Sequence, residues 1–433
     1  MTRARPRRIS SVLPALLMLL IMGMLSSAPV SAGASHGANT SLQSMPVLAY
    51  YYIWFQPDSW NRAKLDLPLL GPYASDDEAI MRLHVQWAKA SGIDGFIVSW
   101  KNTETLSGRL ATLVKVAREE DFKLSIIYEG LDFWRHPLPL DKIDADLDYF
   151  TETYGTDPVF DMFGKPIVIW SGTWEYDRTQ IGRITRNHRA ALRILASQKQ
   201  PNAYERIADL VDGNAYYWSS VDPNTFPDYA GKLDRMSRTV HDHGGLWFAP
   251  AAPGFDARHL GGEREVTRND GDTLRTQMET AASSRPDAIG LISWNEFSEN
   301  SHVEPSCEYG DRYLHILADL LGGSAPTVVS HCDELALATA VAGANVGPPS
   351  GTPGTAIATP VPQAKVFDWD SSEPAGTVDR SARLGIFMLL GLMGGLMMFS
   401  VIKVARRAMS PPESGPATGS RRFPSNHNSS ITH

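Results

Sequence analysis

The densest chemistry in the chain is the run Trp294-Asn295-Glu296-Phe297-Ser298-Glu299-Asn300, followed by Val303-Glu304-Pro305. Glu296 and Glu299 stand three positions apart, so a helical turn there would bring their Cβ atoms to about 5–6 Å. Two carboxylates on one cleft wall are what glycosidic cleavage needs. One protonates the leaving oxygen, the other handles the nucleophile or its proton, and mutual repulsion keeps one of them protonated. A bare E-x-x-E is more often a pair of solvated loop charges, so the reading depends on what positions these two.

Short apolar, β-branched or aromatic runs alternate with helix-length amphipathic stretches. The strand candidates are 47–55, 93–100, 123–130, 165–172, 192–198, 210–218, 245–251 and 288–297. The fifth competes with a single long helix over 179–198. Between them lie helices such as 77–91, where Ile80, Leu83, Trp87 and Ala90 share a face and Gly92 follows as a C-cap. Eight strands alternating with helices over some 290 residues is the arithmetic of a (β/α)8 barrel. A doubly wound open sheet is the alternative, but the first strand runs into IWFQPDSW and not into a glycine-rich turn. A barrel places its active site at the C-terminal strand ends. Those ends carry Tyr52 and Trp54, Trp100 and Lys101, Glu129, Trp170, Tyr217 and Trp218, and Trp294 with Asn295 and Glu296. Aromatic faces stack on the C–H faces of sugars, so Tyr52, Trp54, Trp100 and Tyr217 are candidate sugar contacts, as are Glu129 and Asn295. Each aromatic could equally be core.

Here the chain resembles glycoside hydrolase family 99, the endo-α-mannosidases and mannanases, across most of 47–315. AYYYIWF resembles the family's Y-Y-x-W-[YF] first strand. The segment 70–100 resembles its G-x-Y-x-S-x-D, helix, A-G-I-D/G and S-W succession, and APAAPGFDAR its P-G-[YF]-D segment. WNEFSENSHVEP (294–305) resembles its N-E-W-H-E-G-T-x-I-E-P signature, the most specific of the four. The resemblance implies a (β/α)8 fold, no metal or other cofactor, and hydrolysis with retention. It puts on Glu296 the role of deprotonating the substrate's own 2-hydroxyl, which attacks C1 to form a 1,2-anhydro sugar. Glu299 becomes the acid/base, Glu304 matches the I-E-P glutamate, and Ser59-Trp60 stands where the family commonly has His-Trp, adding Trp60 and Glu304 to the substrate contacts. Phe297, Ser298 and Asn300 replace the signature Trp, His and Gly.

The remaining signals are read as structural. His241-Asp242-His243 falls before the seventh strand, at the opposite end of a barrel, as a solvated turn. His84 belongs to an amphipathic helix, and Asp94 precedes its strand as a cap or pair. No phosphate loop, G-x-S-x-G or zinc spacing is present. With 43% apolar and 20% charged residues the chain is a globular one, and a net charge of −8 argues against nucleic acid as a partner.

The ends point to a membrane. Arg3, Arg5, Arg7 and Arg8 precede an apolar run and Val30-Ser31-Ala32, the pattern of a signal peptide over 1–32, with an uncleaved anchor as the alternative. The folded domain is expected over 45–337, a Pro/Gly/Thr-rich stalk over 343–383, a transmembrane helix over 384–402 and a cytoplasmic tail over 403–433, since Lys403, Arg406 and Arg407 follow the apolar run. In that oxidising compartment Cys307 and Cys332 are expected to pair, free buried thiols being the alternative. The whole reads as a single-pass membrane protein with an extracellular glycosidase acting on an α-linked oligosaccharide or polysaccharide. The rival is a non-catalytic carbohydrate-binding or scaffold barrel.

Overall fold

The computed structural model describes residues 40–62, 64–132, 134–330 and 332. The expected signal peptide, stalk, transmembrane helix and tail lie outside the described residues, as does the end of the 45–337 domain beyond 332. Among the described residues no helix is long and apolar enough to cross a membrane.

Eight parallel strands close into a barrel: β1 (Val47–Tyr52), β2 (Gly95–Trp100), β3 (Lys123–Glu129), β4 (Ile167–Ser171), β5 (Arg193–Ala196), β6 (Gly213–Ala215), β7 (Leu246–Ala251) and β10 (Ala288–Leu291). Strand β10 closes on β1 with Val47 opposite Ile289. Every expected strand is present, shorter by one to several residues at its ends. The fifth is a strand and not the tail of a long helix. A capping box between Asp177 and Gln180 starts the helix Arg178–His188, which ends before Arg193 pairs with Ile167. The helix over Glu78–Ala90 begins at Asp77, whose carboxylate accepts from the Ala79 amide at 2.9 Å, and Gly92 beyond its end takes a φ of +90°.

Strand residues are buried on both sides because the barrel lumen and the helical ring are both packed. Leu48, Tyr50, Ile97, Ile127, Ile169 and Leu195 fill the lumen. Their neighbours in sequence, such as Ala49, Tyr51, Val98 and Ile126, pack under the helices. A short hairpin of β8 (Phe255–Asp256) and β9 (Glu265–Val266), absent from the sequence reading, follows β7. The Asp256 amide donates to the Glu299 carbonyl at 2.8 Å, which ties the hairpin to the carboxylate segment. Cys307 and Cys332 form a disulfide that closes a loop of sequence separation 25. In the chain-entropy account such a link stabilises by about 3 kcal/mol.

Candidate active site

Strand β10 delivers the chain to the C-terminal mouth of the barrel, where 297–300 forms a turn. The Ser301 amide closes it on the Glu296 carbonyl at 3.2 Å, and the Asn300 amide on the Phe297 carbonyl at 3.3 Å. Asn300 sits at φ +48°, a left-handed conformation that Gly and Asn adopt at least cost, so Asn for the signature Gly leaves the turn intact. Phe297 stacks on His302 with centroids 3.9 Å apart and meets the edge of Trp60 at 5.5 Å. His302 was not singled out from the sequence. It is fully buried, 3.1 Å from Asp66, and burial pulls its imidazole down to about 4. Arg268, lying between the rings of Tyr309 and Tyr313, donates to the carbonyls of Asn300 and His302 at 2.9 Å each. The turn is thus held by groups far from it in sequence, Trp60, Asp66 and Arg268.

Glu296 is 4% exposed and Glu299 7%. Burial raises both carboxyls above the ordinary range, but their surroundings differ. One oxygen of Glu296 accepts from the Ser298 amide at 2.9 Å, and the Lys64 ammonium lies near enough to favour its charged form. Among the described residues no hydrogen-bond donor lowers Glu299. The charge of Glu296 raises it further, and Arg135 offsets only part of this. Both carboxyls are thus pushed toward the protonated form, Glu299 further than Glu296. Ser298, the replacement for the signature His, supplies the backbone donor that makes this distinction.

Two recesses open at the barrel mouth, the smaller of them against Glu296. Glu296, Ser298, Trp54 and Lys64 line one of ≈290 Å³. The other, ≈490 Å³, is lined by Tyr52, Glu129, Ser171, Trp174, Lys199 and Tyr217, among others. Tyr52 lines the larger and Trp54 the smaller, their rings 4.3 Å apart. The hydroxyls of Tyr52 and Tyr217 bond at 2.7 Å across the mouth, and Ser99 donates to Glu129 at 2.9 Å. Gly130 permits the close strand tips, since a Cβ there would come 2.5 Å from the Ser171 carbonyl oxygen.

Of the eight expected substrate contacts, the structure brings Tyr52, Trp54, Glu129 and Tyr217 to these recesses. Trp60 packs beneath them, stacked on Phe55 at 4.6 Å with its indole N–H on the Tyr73 carbonyl. The expectation for Trp100 is corrected: it is fully buried outside the barrel, 5.7 Å from Phe150, with its indole nitrogen 3.3 Å from Ser107. Trp170, Trp218 and Trp294 face the helical ring likewise. Adjacent strand residues point to opposite sides, so in Tyr217-Trp218 only the first reaches the lumen. Asn295 and Glu304 are also corrected. Asn295 is fully buried and bonds both backbone groups of Tyr52, while the Glu304 side chain has no exposure. His241, Asp242 and His243 are exposed where a helix ends in a turn before β7, as expected, with His241 3.1 Å from Asp287. Residues missed from the sequence are Lys64, Arg135, Trp174 and Lys199, all on loops just past strand tips. Trp174, four residues after Trp170, was within reach of the same strand-tip argument.

The raised carboxyls have a consequence for stability. A carboxyl whose folded pKa exceeds its unfolded one binds more protons when folded, so stability falls as pH rises through that interval. Glu299→Gln removes the cost of taking up a proton on folding at high pH and is expected to raise Tm by about 2–6 °C at pH 8, with no gain at pH 4. Calorimetry at the two pH values checks this, and an equal gain at both would trace the effect to packing alone.

No family model matches the chain. It is 22% identical over 267 residues to the mouse protein named glycoprotein endo-alpha-1,2-mannosidase-like protein, covering 55% of this chain and 57% of that one. The human protein of the same name matches at 22%, covering 55% and 56%. The chain thus spans little more than half the length of these relatives. Among solved structures, the family-99 endo-alpha-mannosidase from Bacteroides thetaiotaomicron superposes with a TM-score of 0.56 at 17% identity, over 64% of this chain and 96% of that one. A glycoside hydrolase-like protein follows with a TM-score of 0.51 at 16% identity, over 64% and 94%. Relatives and fold point the same way: the described part of this chain is similar to the endo-alpha-mannosidase-like proteins and shares its barrel fold with the family-99 endo-alpha-mannosidase.

Proposed function

We propose that the chain is a glycosidase that cleaves an α-linked, mannan-like glycan with retention, Glu296 acting as base and Glu299 as acid. The observation that carries this is the asymmetry of the pair: one buried carboxyl with a backbone donor and a nearby ammonium, its neighbour with neither. In the first step Glu296 takes the proton of the sugar's 2-hydroxyl, O2 attacks C1, and the C1–O bond to the leaving sugar breaks as Glu299 protonates that oxygen. In the second, water attacks C1 and gives a proton to Glu299, while the C1–O2 bond opens and O2 recovers its proton from Glu296. One water is consumed and both carboxyls return to their starting states. Tyr52, Trp54 and Tyr217 supply the apolar walls, and Glu129 a hydrogen-bonding group for a hydroxyl.

A panel of α-mannans and α-glucans, followed by reducing-end release and by titration calorimetry on the same preparation, tests the reading. Release from at least one α-mannoside is expected. Binding without release at any enzyme concentration would sink it, leaving a carbohydrate-binding barrel.

A further inference from the structure

We infer that Glu304, His84 and Tyr73 are positioning residues for the carboxylate pair, acting through a buried hydrogen-bonded chain that ends on Asn295. This rests on the glycosidase reading above. The side chains of His84 and Glu304 have no exposure, so neither can touch a sugar. His84 Nε2 and Glu304 Oε1 face each other at 3.2 Å, and neither has a hydrogen-bond partner elsewhere. The other ring nitrogen, Nδ1, lies 3.0 Å from the Tyr51 hydroxyl. The other carboxylate oxygen accepts from the Tyr73 hydroxyl at 2.8 Å.

That hydroxyl has one proton, which goes to Glu304, so it is free to accept from Asn295 Nδ2 at 3.3 Å. The second proton on Asn295 Nδ2 goes to the Tyr52 carbonyl at 3.0 Å, and its Oδ1 accepts from the Tyr52 amide at 2.8 Å. The donors between Asn295, Tyr73 and Glu304 thus point one way, from the amide through the hydroxyl to the carboxyl. It runs from the helix Glu78–Ala90, through Glu304, to the residue immediately before Glu296. The backbone reinforces it: the Glu304 amide donates to the Trp294 carbonyl at 2.8 Å and the Val303 amide to Ser293 at 2.9 Å. Loss of the chain leaves Asn295 held by its two bonds to Tyr52 alone, so the backbone leading to Glu296 is less firmly set. Small misplacements of a catalytic group are costly, about 100-fold for 1 Å.

The test is a double-mutant cycle on the full chain. Tyr73→Phe and Glu304→Gln are each expected to lower kcat by about 10–100-fold with KM within about threefold of wild type. The double variant should be no worse than the poorer single one, because both cut the same chain. Tyr73→Phe deletes one oxygen atom, so it remains informative should Glu304→Gln not fold: it must still show the loss in kcat and not in KM. Losses that multiply in the double variant, or that fall on KM, overturn the positioning role alone. Absence of turnover by the wild type on every glycan overturns both this role and the glycosidase reading.

Discussion

Glu296→Gln is expected to lower kcat by about 10³–10⁴-fold on every substrate, whatever its leaving group. The amide cannot take a proton from the 2-hydroxyl, and that removal precedes or accompanies bond breaking in the proposed scheme regardless of what departs. The fold should tolerate the change, because the Oε1 that accepts from Ser298 at 2.9 Å survives in Gln and a buried charge is lost. A substrate with hydrogen in place of the 2-hydroxyl makes the complementary point: the wild type should not cleave it, since no anhydro ring can form. Steady-state kinetics on the variant and on the 2-deoxy glycoside decide the matter. Brisk 2-deoxy cleavage, or a variant within tenfold of wild type, would remove 2-hydroxyl participation and leave another route for the same two carboxyls.

For Glu299→Gln the expected pattern is different because its task depends on the leaving group. Natural glycosides depart as poor leaving groups and need a proton, so their cleavage should fall by about 10²–10⁴-fold. Aryl glycosides with activated leaving groups depart without one, and their first step should suffer less than about tenfold. The asymmetry of the pair supports this assignment: the carboxyl that feels its neighbour's charge is the one pushed further toward its protonated form. A plot of rate against leaving-group pKa is expected to be steep for the variant and shallow for the wild type. Equal slopes would move the acid role away from Glu299.

Much of this protein was determined by local chemistry and was legible in order along the chain. Alternation of strand and helix periods gave the (β/α)8 count, with Asp77 and Gly92 marking a helix at both ends. Glu296 and Glu299 could be placed at a strand tip because the apolar run of the last expected strand, 288–297, gives out there, although β10 itself ends at Leu291. Only the tertiary structure decided which way the side chains face. Where lumen and helical ring are both packed, a strand is apolar on both sides and no polar alternation betrays its inner face. Tyr217 and Trp218 are indistinguishable on paper, yet one meets the cleft and the other stacks on Tyr229 at 4.9 Å. Glu304, in a motif that resembles a sugar-contacting one, is instead withdrawn by Tyr73, 231 residues away in sequence, and by His84. The division of labour between two like carboxylates was likewise invisible. It depends on the Ser298 amide that a turn aims at Glu296 and on the Lys64 ammonium brought up by the loop after β1. A carboxylate's proton affinity is set by solvent exclusion and by donors arriving in space, and neither is recorded in the spacing of E-x-x-E.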